Sequence, residues 1–355
     1  MIEVYRADAT QVRGDRVAAD AIPDEAIWID LINPSKQEEQ AVERLCAIEV
    51  PTREEMREIE VSSRLYSEDG ADFMTASVVF GLDSGRPAFA PVTFILTGSR
   101  LVTLRYTEPK SFAIYSAKLC RGQTETSAAL AHVLGADERE PQTPASAPSS
   151  KNGPRIPTAD SILIGLLETV IDRVADMLEA IAADLDHIAT DIFASSKDKK
   201  PIANHEFKEL LRRIGAAGDL ASRTRESLAT LDRMMPYLQF VLEGRKAGKD
   251  SRFRVKAMNR DITSLNDFVS FLSNKTTFLL DTTVGMISIE QNAIIKIFSV
   301  AAVGFMPPTL IASIYGMNFE IMPELHWAHG YPLALVAMIV SAVLPLVFFR
   351  YKNWL

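Results

Sequence analysis

Thiols are scarce in this 355-residue chain, with Cys46 and Cys120 the only two. That excludes a disulfide framework, and their spacing matches no zinc knuckle, so a reducing compartment suits the bulk of the chain. A cationic excess is also missing. There are 38 Lys and Arg against 46 Asp and Glu, giving a net charge of −8, and no basic cluster is interleaved with aromatics for stacking bases. A nucleic-acid partner is therefore not expected. Enzyme signatures are absent too: no glycine-rich phosphate loop, no His-Glu-x-x-His, and no serine or cysteine in a nucleophile context. This argues against catalysis and against an organic cofactor. His132, His187 and His205 are isolated, while His326 and His329 lie three apart beside Glu324, which fits a polar loop better than a zinc site. The first twenty residues alternate charge and apolarity without a hydrophobic core, so no cleavable leader is expected.

What the chain does have is two uncharged stretches near its carboxy end. Residues 297–315 hold no ionisable group but Tyr315, and 331–349 none but Tyr331. Each is long enough to cross a hydrocarbon core of about 30 Å at about 1.5 Å per residue. The mean hydropathy of +0.05 hides them, because a charged amino-terminal body dilutes the average. Between the spans, Glu320 and Glu324 occur without any Lys or Arg, whereas Arg350 and Lys352 follow the second span at once. The positive-inside bias then puts both termini in the cytoplasm and the connector outside, in a multi-pass membrane protein. Trp327 and Tyr331 on one side, and Tyr351 and Trp354 on the other, fit interfacial anchors in contact with lipid.

The water-facing part falls into two blocks. The first mixes β-rich runs at 2–6, 26–31, 72–80, 90–96 and 100–105 with helical segments at 36–47 and 53–59, the second of these capped by Thr52 with Glu55 three residues on. An α/β domain over 1–157 is expected, ending in a loop at 140–157 rich in Pro and Ser. From 158 the pattern is helical. Ile162, Leu163, Leu166, Leu167, Val170, Val174, Met177, Leu178, Ile181 and Leu185 recur at helical spacing, opposite an acidic face from Asp172 to Asp191. A second helix is read over 204–231, with breaks at Pro236 and at 244–248. These make a block of antiparallel helices over 158–249. A stalk helix over 250–316 continues into the first span, followed by an outer loop at 317–330 and by the second span with its basic tail at 331–355. Unbroken from 250 to 315, the stalk helix would be about 100 Å long and would need neighbours to bury it.

Along it Asp281, Ser288, Asn292, Ser299, Ala302, Met306, Thr309 and Ser313 follow one another at steps of three, four or seven, which places them on one stripe. Such a stripe has no reason to face lipid. It suits a water-filled lumen. Taken alone, it suits better still close helix packing, or hydroxyls that re-satisfy carbonyls freed by Pro307 and Pro308.

The residues around the connector narrow the choice. Tyr315-Gly316-Met317-Asn318, followed by Met322-Pro323-Glu324-Leu325 and a terminal Asn353-Trp354-Leu355, resembles the CorA family of magnesium and cobalt channels. The likeness runs back through Ile289-Glu290-Gln291-Asn292 and the segment 294–299. It continues more loosely through Pro51-Thr52-Arg53-Glu54-Glu55 and 91–96.

The resemblance implies an α+β membrane protein that assembles as a funnel-shaped homopentamer, its long helices lining a central pathway. It implies a selectivity filter of Gly316, Met317 and Asn318, with a ring of Asn318 amides at the outer mouth. Amide oxygens can accept hydrogen bonds from the waters of Mg2+, an ion that gives up its waters reluctantly. Carried over in the same way, Asp281, Asn292, Ile295, Phe298, Met306, Thr309 and Ser313 would line the pore. Ile295 and Phe298 would form a constriction that blocks ions by dewetting. Many relatives have glycine where Ser313 stands. Glu320 and Glu324 lie at the outer mouth, Glu324 more as a solvated loop residue, and Arg350 and Lys352 form an inner basic collar. The family closes when intracellular Mg2+ occupies carboxylates between cytoplasmic domains. The stalk position of one such aspartate falls at Ala257, which leaves Asp261 and Asp267 as nearby substitutes. The seven basic residues from Arg245 to Arg260 read chiefly as solvated surface, with pairing to the acidic face the second option. The implied function is influx of hydrated Mg2+, and of Co2+ and Ni2+, gated by internal Mg2+. A zinc transporter of the same superfamily and a non-conducting membrane-anchored sensor or scaffold are the rivals.

Overall fold

The run Ala26–Ile32 is apolar on both faces, which suits a strand covered on both sides. It forms β3, near the middle of a seven-stranded sheet. The computed structural model describes residues 1–7, 12–121, 157–195, 204–317, 322, 327 and 329–352, so all of the 140–157 segment except Pro157 lies outside the described residues. Two compact units are present, one of Met1–His187 with Gly215–Thr276, the other of Ile188–Ile214 with Thr277–Leu355.

In the first unit the strands are β1 (Ile2–Ala7), β2 (Val12–Val17), β3, β4 (Leu65–Glu68), β5 (Ala71–Phe80), β6 (Ala88–Thr97) and β7 (Arg100–Arg105). Their order is β2-β1-β3-β7-β6-β5-β4, and β3 with β7 is the parallel pair. Five of these were expected. β2 and β4 were not, because they are the two edges: β2 exposes Arg13 to Arg16 and β4 has no buried residue, so neither carries a core pattern. One sheet face buries Ile29, Leu31, Phe73, Ile95 and Leu104 against Val42 of helix α1 (Lys36–Cys46) and against Met56. Helix α1 opens with a capping box between Ser35 and Glu38. The Thr52 and Glu55 box also forms, at 2.8 and 3.3 Å. It starts only one 3₁₀ turn, Glu55–Arg57, followed by the four-residue α2 (Val61–Arg64) instead of a helix over 53–59. Only Met56 of that segment is buried, and Glu58 is extended at ψ 144, so nothing supports further turns.

On the opposite face Trp28 and Phe94 pack against Phe112 of a helix that was not anticipated, α3 (Lys110–Cys120). Helix α4 (Ala159–Ser195) buries every apolar residue expected of it from Ile162 to Leu185. Helix α5 (Asn204–Gly244) is docked on the sheet through Ser227 and Thr230 to the backbone of Ser77, and it runs straight through Pro236. An interior proline costs about 3 kcal/mol. Burial of Met234, Met235, Leu238, Val241 and Leu242 around it, at about 1.5–3 kcal/mol each, outweighs that cost and explains why no break occurs. Arg245 closes the unit, binding Asp160 at 2.8 Å and the Gly98 carbonyl at 2.7 Å.

Helix α6 (Lys249–Tyr315) is a single helix of 67 residues, unbroken at Pro307 and Pro308. It carries the chain from the first unit into the second, which also holds α7 (Gly330–Tyr351). The part of α6 from Ile297 and the part of α7 up to Phe349 are uncharged and largely apolar, yet most of their apolar side chains are exposed. A water-soluble fold would bury such surface; two bilayer spans would not need to.

Candidate functional site

Within the second unit, α6 has two distinct faces. Val300, Gly304, Pro307, Pro308 and Ile311 lose exposure on one side. There a Cβ on Gly304 would lie 3.8 Å from Leu346 Cδ2, so α7 packs on this face. The partly shielded side of α7 is Ala334, Ala337, Met338, Ser341, Ala342 and Pro345, a run of mostly small residues that allows close approach. The polar stripe points elsewhere. At about 100° per residue its mean direction lies about 150° from the face that meets α7. Asp281, Ser288, Asn292, Ser299, Ala302, Met306, Thr309 and Ser313 are all exposed, with Met306 at 68%. Ile295 and Phe298 flank the stripe and are exposed at 61% and 72%.

This arrangement disposes of one reading of the stripe. The carbonyls freed by Pro307 and Pro308 are those of Val303 and Gly304, four residues back. The Thr309 hydroxyl instead donates to Phe305 O at 2.7 Å, and Ser288 donates to Val284 O at 3.1 Å. Neither hydroxyl serves a carbonyl orphaned by proline. Packing on α7 is also not the stripe's role, because α7 occupies the other side.

At the end of α6, Gly316 closes the helix with its N–H on Ala312 O at 2.9 Å, and a Cβ there would meet the same carbonyl at 3.1 Å. Met317 is exposed at 48%. Asn318, Glu320 and Glu324 lie outside the described residues. Arg350, in the last turn of α7, and Lys352, its C-cap, are exposed, as is Lys296 on α6.

In the first unit, Asp261 of α6 comes near the acidic side of α4. Burial raises the Asp261 carboxyl above its ordinary range, and Glu168 raises it further. Asp172 is raised as well, first by burial, with Lys118 opposing and Glu168, Asp176 and Asp261 adding to the rise. Glu168 is held by a bidentate pair with Arg254, at 2.8 and 2.5 Å. Arg245 with Asp160 and Arg254 with Glu168 are thus two of the seven basic residues that do reach α4, short of the acidic stretch that begins at Asp172. Asp267 is exposed and makes no contribution to this group. Among the described residues no three His, Cys, Asp or Glu side chains gather closely enough to hold a metal.

Residues 139–351 match the family model described as CorA-like Mg2+ transporter protein, well over half of the chain. The chain belongs to the CorA-like family. A relative named Magnesium transport protein CorA from Wolinella succinogenes is 33% identical over 334 residues, covering 93% of this chain and 91% of that protein. The Escherichia coli K12 protein of the same name is also 33% identical, over 330 residues, covering 93% and 92%. Among solved structures, the complete CorA magnesium transporter from Methanocaldococcus jannaschii superposes with a TM-score of 0.66 at 16% identity, covering 100% of this chain and 99% of that one. The fold is thus that of a full-length CorA, with an amino-terminal α/β domain, a long helix and two apolar carboxy-terminal helices.

For this CorA-family chain, spacing in the sequence was enough to find the stripe. Glu168 and Asp172 were missed as companions of Asp261, although the four-residue steps 168, 172 and 176 on α4 were a usable signal. What spacing could not supply was the approach of two helices some 90 residues apart in the chain.

Proposed function

We propose that several copies of this chain, five by the pattern of the family, bring their α6 stripes together around a water-filled path for hydrated divalent cations. The observation that carries the reading is the stripe itself: polar, exposed along the span, and turned away from α7. Facing lipid, Ser299 and Ser313 would place hydroxyls in hydrocarbon. Facing copies of themselves around water, they are solvated.

Mg2+ is the favoured substrate, with Co2+ and Ni2+ accepted through the same hydrated geometry. Asn318 amides at the outer mouth would hold the ion's water shell without stripping it, with Gly316 turning the backbone and Met317 packing beside it. Ile295 and Phe298 would form the hydrophobic constriction, and Arg350 and Lys352 the inner collar. Inward flux needs no nucleotide, since a divalent ion gains about 4.6 kcal/mol per 100 mV, twice the single-charge figure. Both termini lie in the cytoplasm in this reading. Internal Mg2+ would favour closure by neutralising the carboxylates around Asp172 and Asp261, with Asp267 a further ligand; the ligand set would be completed by a neighbouring copy, since the described residues of one chain do not assemble it.

The test is uptake into liposomes holding the purified protein. Asn318→Ala is expected to lower Mg2+ influx at least tenfold, and hexaammine cobalt, a mimic of hydrated Mg2+, to block the unmodified protein. Unchanged influx in the variant would favour a non-conducting scaffold. Zn2+ uptake insensitive to hexaammine cobalt would favour a zinc transporter.

A further inference from the structure

We infer that the cytoplasmic ends of the two spans form a docking surface for the headgroup of an anionic glycerophospholipid, held at the seam by Lys296 of α6 and Lys352 at the end of α7, with Arg350 adding positive charge in the same layer. The inference rests on reading the two helices as membrane spans. Consecutive spans run in opposite directions, and Gly304 meets Leu346 where they pack. From that contact Lys296 lies eight residues back along α6, while Arg350 and Lys352 lie four and six residues on along α7. At about 1.5 Å per residue the three cations therefore sit roughly 12, 6 and 9 Å from the contact towards the same membrane face. They fall within one headgroup layer.

From Gln291 onward nothing acidic on these elements balances them. After Glu290 the next acids are Glu320 and Glu324, in the connector beyond the opposite end of both spans. Among the described residues none of the three cations makes an ion pair. All three are exposed, and apolar surface runs directly into them: Ile297 beside Lys296, and Val347 and Phe348 beside Arg350. Long basic side chains can lay their stems on such surface and present their charge at the interface. Lys352 lies on the side of α7 that faces α6, and Lys296 on the flank of α6 next to α7, so these two charges converge on the seam between the helices, while Arg350 lies about 150° round α7 from that side. A phosphate at the seam with acyl chains along the apolar flanks matches both the charge and the surface.

The test uses the full-length protein in detergent, titrated with phosphatidylglycerol or with phosphatidylcholine of the same acyl chains, with bound lipid counted by native mass spectrometry. The unmodified protein should bind phosphatidylglycerol at least tenfold more tightly. Lys296→Gln and Lys352→Gln should each weaken it by on the order of fivefold, Arg350→Gln by less, and the triple variant by on the order of 25-fold or more, with phosphatidylcholine unaffected. Exchanging each Lys for Arg and Arg350 for Lys should preserve binding. If the triple variant does not accumulate, the three single variants decide. Equal binding of the two lipids, or unaltered binding by the Gln variants, overturns the inference. So does displacement of the lipid by inorganic phosphate at equal concentration, or loss of subunit association in the Gln variants with lipid binding intact, which would assign the cations to a contact between copies. Alkaline carbonate extraction separates the two readings. Release from the membrane sinks the two-span reading, whereas retention without lipid preference sinks this inference alone.

Discussion

Replacing Arg105 by Met in the centre of the α/β domain isolates one charge whose surroundings are fully defined. Arg105 and Asp30 are side chains with 7% and 1% exposure. The guanidinium Nε donates to both carboxylate oxygens at 3.2 and 3.1 Å, and Nη2 donates to Oδ2 at 2.8 Å. Thr103 donates to Asp30 at 2.7 Å, Trp28 donates to Thr103 at 2.9 Å, and the Phe112 ring lies 4.6 Å from the guanidinium. Removing the cation strands a carboxylate that can escape only by taking up a proton, and it frees the Thr107 carbonyl, which Arg105 holds at 2.8 Å. Breaking a buried pair in this way costs about 3–5 kcal/mol. With a urea dependence of about 1–3 kcal/mol per M, the unfolding midpoint should fall by roughly 2 M. Trp28 is the one tryptophan outside the carboxy-terminal region, the other two being Trp327 and Trp354, so its fluorescence reports this domain in the full-length protein in detergent. Arg105→Lys keeps the charge but loses the fork, and should fall between the two. The double variant Asp30→Leu with Arg105→Met should lose less than the sum of the single changes, because neither partner is left charged. A midpoint shift below about 0.5 M for Arg105→Met, or strict additivity in the cycle, would refute the assignment of this pair as the domain's electrostatic clamp.

Further changes test other parts of the fold. The raised carboxyls of Asp172 and Asp261 stabilise fully below the ordinary aspartate value, near pH 4, and that stability is lost as pH rises through their higher folded values. Asp172→Asn should therefore be more stable than the unmodified chain at pH 7 but not at pH 4, and should gain less thermal stability from millimolar Mg2+; equal pH profiles would refute this. At the seam of the spans, Gly304→Ala should be tolerated, because its Cβ meets only ordinary contact, whereas Gly304→Phe should part α6 from α7 and abolish cation uptake. Ser35→Ala removes the hydroxyl that accepts from Glu38 N–H at 3.4 Å, and should cost about 1 kcal/mol in the same fluorescence-monitored urea titration.

How far the sequence could be read depended on where burial acts. The central strands and α4 were legible because both faces of a central strand and one stripe of a long helix must be apolar, and that pattern survives in one dimension. Edge strands β2 and β4 bury too little to leave such a pattern. Helix α3 is short, and its apolar content, Phe112 and Tyr115 around Trp28, acquires meaning only once the sheet is assembled. Pro236 misled for a related reason. Local propensity speaks against helix there, but five buried side chains nearby outweigh it. At the candidate site, the period of the stripe was visible in the chain, while the direction it faces depends on where Gly304 meets α7. The role of Asn318 came through resemblance alone, since a single amide in a connector carries no pattern of its own.

The two faces of α6 also bear on how the chain assembles. One face is closed by small residues of α7, so it has no room for another helix. The opposite face carries the hydroxyls of Ser299, Thr309 and Ser313 along the stretch that would cross the bilayer, and these residues are exposed in the single chain. Lipid can cover the apolar flanks, Ile297 and Phe305 among them, but it offers no hydrogen-bonding partner to Ser299 or Ser313. A lone chain in a membrane would therefore hold its least soluble surface on the side with no neighbour. Repetition about an axis on the stripe side removes the conflict, because each copy's polar face then meets water and other polar faces while its apolar flanks meet lipid or the next copy.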